Sequence, residues 1–169
     1  MMYDAYTRKF GGARVTRSDV LHSVAGNPRA TIVADLTADN AIPTDAFECI
    51  ICTQTLQFIY DFRAALRELH RILKPGGVLL LTAHGTSRIG RREGVDSWGE
   101  YWRFTAQSMR RLLAEAFGGG ESRIEVYGNV LAAVANLHCL AAEELTRAEL
   151  DHRDPDYEVL LAVRAVKAA

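Results

Sequence analysis

The chain has 169 residues, 49% of them apolar and 24% charged, which fits one ordered globular domain and excludes a disordered or low-complexity polypeptide. A formal net charge of −1 gives no electrostatic reason to expect nucleic acid or an anionic membrane as partner. No apolar run approaches a membrane span and no secretory signal opens the sequence, so a cytoplasmic protein is expected.

In chain order, residues 1–14 are polar and aromatic, with Tyr3, Tyr6 and Phe10 ahead of Gly11-Gly12, and do not read as a buried parallel strand. Val15 to Leu21 reads as a short strand ending near Asp19. Gly26-Asn27-Pro28 is a turn. Thr31 to Leu36 is a second short strand with Asp35 at its carboxyl end. Phe47 to Thr53 is an apolar strand tipped by Thr53-Gln54. Phe62 to Leu73 is an amphipathic helix: Phe62, Ala65, Leu66, Leu69, Ile72 and Leu73 share one face, and Arg63, Arg67, Glu68 and Arg71 the other. Asp61 is its N-cap, and Lys74-Pro75-Gly76-Gly77 stops it and turns the chain. Val78 to Leu81 is continuously apolar, as in a strand covered on both faces, and His84 closes it.

A loop over residues 85–104 holds Arg88, Arg91 and Arg92, then Trp98, Tyr101, Trp102 and Phe104. Thr105 caps a helix with Met109, Leu112, Leu113, Ala116 and Phe117 on one face, ended by Gly118-Gly119-Gly120. Arg123 to Tyr127 alternates as a strand. Asn129 to Leu145 reads as one helical run clustering Val130, Leu131, Val134, Leu137, His138, Ala141 and Leu145; it is an inserted lid or oligomer contact, and His138 reads as a core histidine. Val159 to Val166 closes the fold as a strand. Cys49, Cys52 and Cys139 suit reduced thiols; Cys49 and Cys52, three apart on a strand, point to opposite faces and read as buried structural residues. No spacing of His, Cys and Asp reads as a metal site.

The order of elements implies an α/β domain, mostly parallel, with an antiparallel carboxyl-terminal strand pair. Ligands of open α/β sheets bind beyond the carboxyl ends of the strands, and Asp19, Asp35, Thr53-Gln54 and His84 each close an expected strand. Each also has a plainer reading, as a turn or helix cap for Asp19, Asp35 and Thr53.

The strand, the Thr-Gln tip, the helix ending Arg71-Ile72-Leu73-Lys74-Pro75-Gly76-Gly77 and the apolar strand after it resemble the fourth and fifth strands of class I S-adenosylmethionine-dependent methyltransferases. The resemblance implies a Rossmann-like methyltransferase domain over residues 1–169, with a helical insertion at about 129–147. It also implies S-adenosylmethionine as cofactor. Asp19 then matches the ribose-binding acid, Asp35-Leu36 the pair against adenine, and Thr53 and Gln54 the residues lining the methionine moiety. The segment from Trp98 to Thr105 resembles a substrate-side loop, with Trp98, Tyr101 and Trp102 as wall of an acceptor pocket or as a small aromatic core. His84 stands where a base would take a proton from a small-molecule acceptor.

The family's apolar first strand and the glycine-rich turn after it have no counterpart here: Gly11-Gly12 comes late, with no apolar strand before it. Such a sheet has to close up, borrow a strand from a second copy, or belong to a longer protein. A methyltransferase-like partner without catalysis, homodimeric through a strand edge or through residues 129–145, is therefore the alternative to an enzyme. A dinucleotide-dependent oxidoreductase is a distant third, since no G-x-G-x-x-G follows a strand.

Overall fold

A computed structural model describes residues 9–90 and 99–169. The chain forms two compact units, residues 1–42 and 43–169.

In the first unit a 3-10 turn, Gly12–Arg14, precedes two parallel strands, β1 (Leu21–His22) and β2 (Ile32–Val33), with Leu21 opposite Ile32 and His22 opposite Val33. The expected strand over Val15–Leu21 is corrected here, because Asp19 precedes β1 instead of closing it. The cause is a side-chain bridge where a ladder would start. Thr31 Oγ1 accepts from the Val20 N–H (2.9 Å) and donates to Asp19 Oδ1 (3.0 Å). Asp35 follows β2 by two residues, on the expected side.

The second unit holds a four-stranded sheet in the order β3-β4-β6-β5. Its strands are β3 (Phe47–Thr53), β4 (Leu73–His84), β5 (Ser122–Tyr127) and β6 (Leu160–Val166). β3 and β4 run parallel, and β6 lies antiparallel between β4 and β5. The crossover from β3 to β4 is helix α1 (Phe62–Ile72), whose N-cap Asp61 accepts from the Ala64 N–H at 2.9 Å. Lys167 holds its other end: the ammonium donates to the Leu73 carbonyl (2.8 Å), to the Arg71 carbonyl (3.4 Å) and to Asp45 (2.7 Å), a cation where the helix dipole favours one. Helix α2 (Ala106–Ala116) carries the reciprocal cap at Thr105 and Ser108.

The core lies on one face of this sheet. Leu79, Leu81 and Ala83 of β4 and Leu161, Val163 and Ala165 of β6 are buried, as are Leu66, Leu69 and Ile72 of α1 and Met109, Leu112 and Leu113 of α2. Each fully buried leucine there contributes about 1.5–3 kcal/mol. Val78 and Leu80 are only half-buried, so the expectation of a strand covered on both faces holds for alternate residues alone. Cys49 and Ile51, which pair with Val78 and Leu80, are exposed. Cys49 is thus not buried as expected, while Cys52, on the helical side, is buried and its thiol is pushed up to about 11 by desolvation.

The run after Asn129 departs most from expectation. It is helix α3 (Val130–Leu137), a break, a 3-10 turn (Ala142–Glu144) and helix α4 (Arg147–Asp151). The break comes at Cys139, whose φ of 62° no continuing helix tolerates. Ala133 and Ala135 face inward, whereas Val130, Leu131, Val134 and Leu137 are 45–50% exposed. His138 is exposed as well, not a core histidine. Among the described residues, no helix is long and apolar enough to cross a membrane.

Candidate functional site

In the second unit one end of the sheet collects the polar tips. Thr53 ends β3 opposite Thr82, and His84 ends β4 opposite Leu160, which in turn faces Tyr127 at the end of β5. The parallel strands β3 and β4 therefore both leave their carboxyl ends here, the end where open α/β sheets take ligands.

Beyond Thr53 the chain bends sharply. Gln54 is left-handed (φ 52°), a conformation that costs a non-glycine residue and is held here by hydrogen bonds. The Gln54 N–H donates to the Thr82 carbonyl (2.9 Å), and its side-chain Nε2 to Thr82 Oγ1 (3.2 Å). A 3-10 turn, Leu56–Phe58, then places Gln57, which is fully buried. Gln57 Nε2 donates to Gln54 Oε1 at 3.1 Å. Gln57 Oε1 is also buried, and among the described residues no donor meets it.

The aromatic segment hangs on the same turn. The backbone carbonyl of Gln57 accepts from the N–H groups of Tyr101 (2.8 Å) and Trp102 (3.3 Å). The Trp102 ring meets Phe62 edge-on at 5.1 Å and Tyr60 at 5.9 Å, and its Nε1 donates to the Tyr60 carbonyl (3.1 Å). Tyr101 meets Tyr60 edge-on at 5.3 Å, and both tyrosines are exposed. Trp102 is thus the anchor of an aromatic cluster whose outer surface is Tyr60 and Tyr101. Trp98 lies outside the described residues, with Arg91 and Arg92.

The His84 carbonyl accepts from the Phe104 N–H (2.9 Å), which ties the end of β4 to the start of α2. Burial holds the His84 imidazole below the usual histidine value; the nearby Glu100 carboxylate works against this and the Arg103 guanidinium with it. His84 is therefore neutral near pH 7 and able to accept a proton. Glu100, with a side chain only 3% exposed, pairs with Arg103 (3.0 Å) and accepts from the Gly90 N–H. Arg103 also donates to the carbonyls of Trp102 (3.0 Å) and Arg88 (2.9 Å), so the pair joins the segments after β4 and before α2.

Asp19, Asp35 and Leu36 belong to the first unit. Asp19 accepts from Thr31 Oγ1 and pairs with Arg17 (3.1 Å). Asp35 accepts from the Thr37 N–H (2.8 Å) and hydroxyl (2.7 Å), an Asx turn of the kind its plainer reading required. Its neighbour Leu36 is half-buried. Sequence reasoning passed over Gln57, Glu100 and Arg103. The signal for Gln57 was its place between apolar Leu56 and Phe58, three residues after another glutamine.

Comparison with known proteins fits this geometry. Residues 4–81 match the model of a methyltransferase domain. The chain is 32% identical over 120 residues to the ubiquinone/menaquinone biosynthesis C-methyltransferase UbiE of Enterobacter sp. (strain 638), an alignment covering 57% of this chain and 47% of that protein. The chain thus spans about half the length of this curated relative. Among solved structures, a methyltransferase from Haloferax volcanii in complex with a methyltransferase activator superposes with a TM-score of 0.61 at 16% identity, covering 99% of this chain and 78% of that one. An S-adenosylmethionine-dependent methyltransferase from Thermotoga maritima gives 0.54 at 19% identity, over 82% and 65% of the two chains. A phosphoethanolamine N-methyltransferase from Haemonchus contortus, solved with S-adenosylhomocysteine, gives 0.52 at 16% identity, over 81% and 37%. At these identities the structural likenesses establish the fold.

Proposed function

We propose that the chain is a class I S-adenosylmethionine-dependent methyltransferase domain and that it transfers a methyl group to a small-molecule acceptor. The observation that carries the reading is the shared end of β3 and β4, where Thr53, Gln54 and His84 stand together with the aromatic segment that hangs from Gln57. In this reading the chain is one methyltransferase-like domain with residues 129–147 as its helical insertion.

The tip fits such a cofactor chemically. It offers a hydroxyl and a carboxamide on a strand end, in a polar network with one buried acceptor unmet. Thr53 and Gln54, at the carboxyl end of β3, would hold the methionine part. When bound, the cofactor supplies an electrophilic methyl group. The chain's own task is then positioning and desolvation. Tyr60 and Tyr101, the exposed rings of the cluster that Trp102 anchors, give an aromatic surface against which an aromatic acceptor packs. The neutral imidazole of His84 takes the proton that the acceptor's hydroxyl, amine or activated carbon gives up. The matched relative is named as a C-methyltransferase of ubiquinone and menaquinone biosynthesis, which supports testing phenolic and quinol acceptors first.

The test is transfer of label from methyl-labelled S-adenosylmethionine to a panel of phenols, quinols and amines. Labelled product from one class, lost in His84→Gln, is the expected result. A chain that binds the cofactor yet labels none of the panel would point to the partner without catalysis.

A further inference from the structure

We infer that Gln57 is a positioning residue that couples the cofactor-side tip of β3 to the aromatic acceptor segment; the inference rests on the cofactor reading above. Gln57 is fully buried and reaches both partners from one short turn. Its side-chain Nε2 donates to Gln54 Oε1 (3.1 Å), and Gln54 Nε2 donates onward to Thr82 Oγ1 (3.2 Å). This chain of amides fixes the carboxamide of Gln54, whose backbone is left-handed (φ 52°). Meanwhile the Gln57 main-chain carbonyl accepts from both Tyr101 N–H (2.8 Å) and Trp102 N–H (3.3 Å). The direction in which that carbonyl points depends on how the side chain is pinned, because both belong to the three-residue turn Leu56–Phe58.

The unmet Oε1 separates this role from a plain stabilising one. A buried acceptor without a donor is itself costly. In Gln57→Met the loss of the hydrogen bond to Gln54 is offset in stability by removal of the unmet buried acceptor. What the apolar residue cannot do is donate to Gln54.

The experiment uses the full unsubstituted chain as background and S-adenosylhomocysteine as probe; Trp98 and Trp102 are its two tryptophans, and the part of an emission change lost in Trp102→Phe is the Trp102 part. In that background the ligand is expected to bind and to shift Trp102 emission. Adding Gln57→Met is expected to leave thermal stability within a few degrees while weakening binding roughly fivefold to tenfold, one lost hydrogen bond. The Trp102 part of the emission shift at saturating ligand disappears. Gln54→Leu with Gln57→Met is expected to be no weaker than Gln54→Leu alone, since both break one chain. If Gln57→Met binds and reports as the background does, the coupling is overturned while the cofactor reading stands. If the unsubstituted chain does not bind S-adenosylhomocysteine, the cofactor reading falls and this inference with it.

Discussion

The aromatic segment separates an anchor from a working surface, and the two roles respond to mutation in opposite ways. Trp102 makes two ring contacts, with Phe62 at 5.1 Å and Tyr60 at 5.9 Å, and one indole hydrogen bond of 3.1 Å. Each aromatic pair contributes about 0.5–1.5 kcal/mol and the hydrogen bond a similar amount. Trp102→Ala therefore costs about 2–4 kcal/mol, which for a chain of this size lowers Tm by roughly 5–12 °C. Trp102→Phe keeps the rings and loses the hydrogen bond, about 1 kcal/mol. Tyr101 is 52% exposed, and its main-chain bond to Gln57 survives any substitution of the ring. Tyr101→Ala loses one edge contact with Tyr60, under about 1 kcal/mol. Its expected effect is on the acceptor instead: a KM raised about tenfold for an aromatic acceptor, the loss of one stacked ring. Scanning calorimetry and steady-state kinetics on the three variants check this. A Tyr101→Ala variant that unfolds early with normal KM, or a Trp102→Ala variant of unchanged Tm, would refute the division.

Three further outcomes follow from particular contacts. Folded His84 and His70 both lie below the ordinary histidine value, each chiefly through burial, with the Lys167 charge adding to the effect on His70. They bind fewer protons folded than unfolded, so stability is full above about pH 6.5. It is lost as pH falls through their lower folded values, which urea melts between pH 5 and 7.5 record; a flat profile counts against it. Gly128 has φ 139°, and a Cβ there would lie 2.4 Å from the Tyr157 carbonyl oxygen, so Gly128→Ala is expected to cost roughly 2–4 kcal/mol by denaturant titration, and a neutral result would show that the crossing adjusts freely. Lys167→Met removes three hydrogen bonds at the end of α1 and is expected to lose about 1–3 kcal/mol, whereas Lys167→Arg retains part of it; equal stability of all three proteins would be the contrary result.

What could be read from the residues follows from how local their causes are. α1 was legible because the apolar stripe and the Asp61 cap act within one helix length, whereas Lys74 to Gly77, expected as a turn before the next strand, already lie in β4, which starts at Leu73. The tip at Thr53 and His84 was legible because both end runs of apolar strand residues. The position of β1 was not, since it depends on Thr31 bridging to Asp19 and Val20 from twelve and eleven residues away. Nor was the outward face of α3. Its large residues cluster by periodicity, but periodicity does not say which face is buried, and here the alanines Ala133 and Ala135 are. Gln57, Glu100 and Arg103 were missed because a buried polar residue is defined by its partners, and none of these shows in composition.

Equilibrium binding of S-adenosylhomocysteine to the full chain, followed by titration calorimetry, bears on the cofactor site more directly than any activity assay, because it needs no acceptor. The site described predicts one ligand per chain, bound in the micromolar range, and weakened at least several-fold by Thr53→Val with Gln54→Leu in a chain that stays folded at the assay temperature. A folded chain that evolves no heat of binding, or a double variant that binds as tightly as the unsubstituted protein, would contradict it.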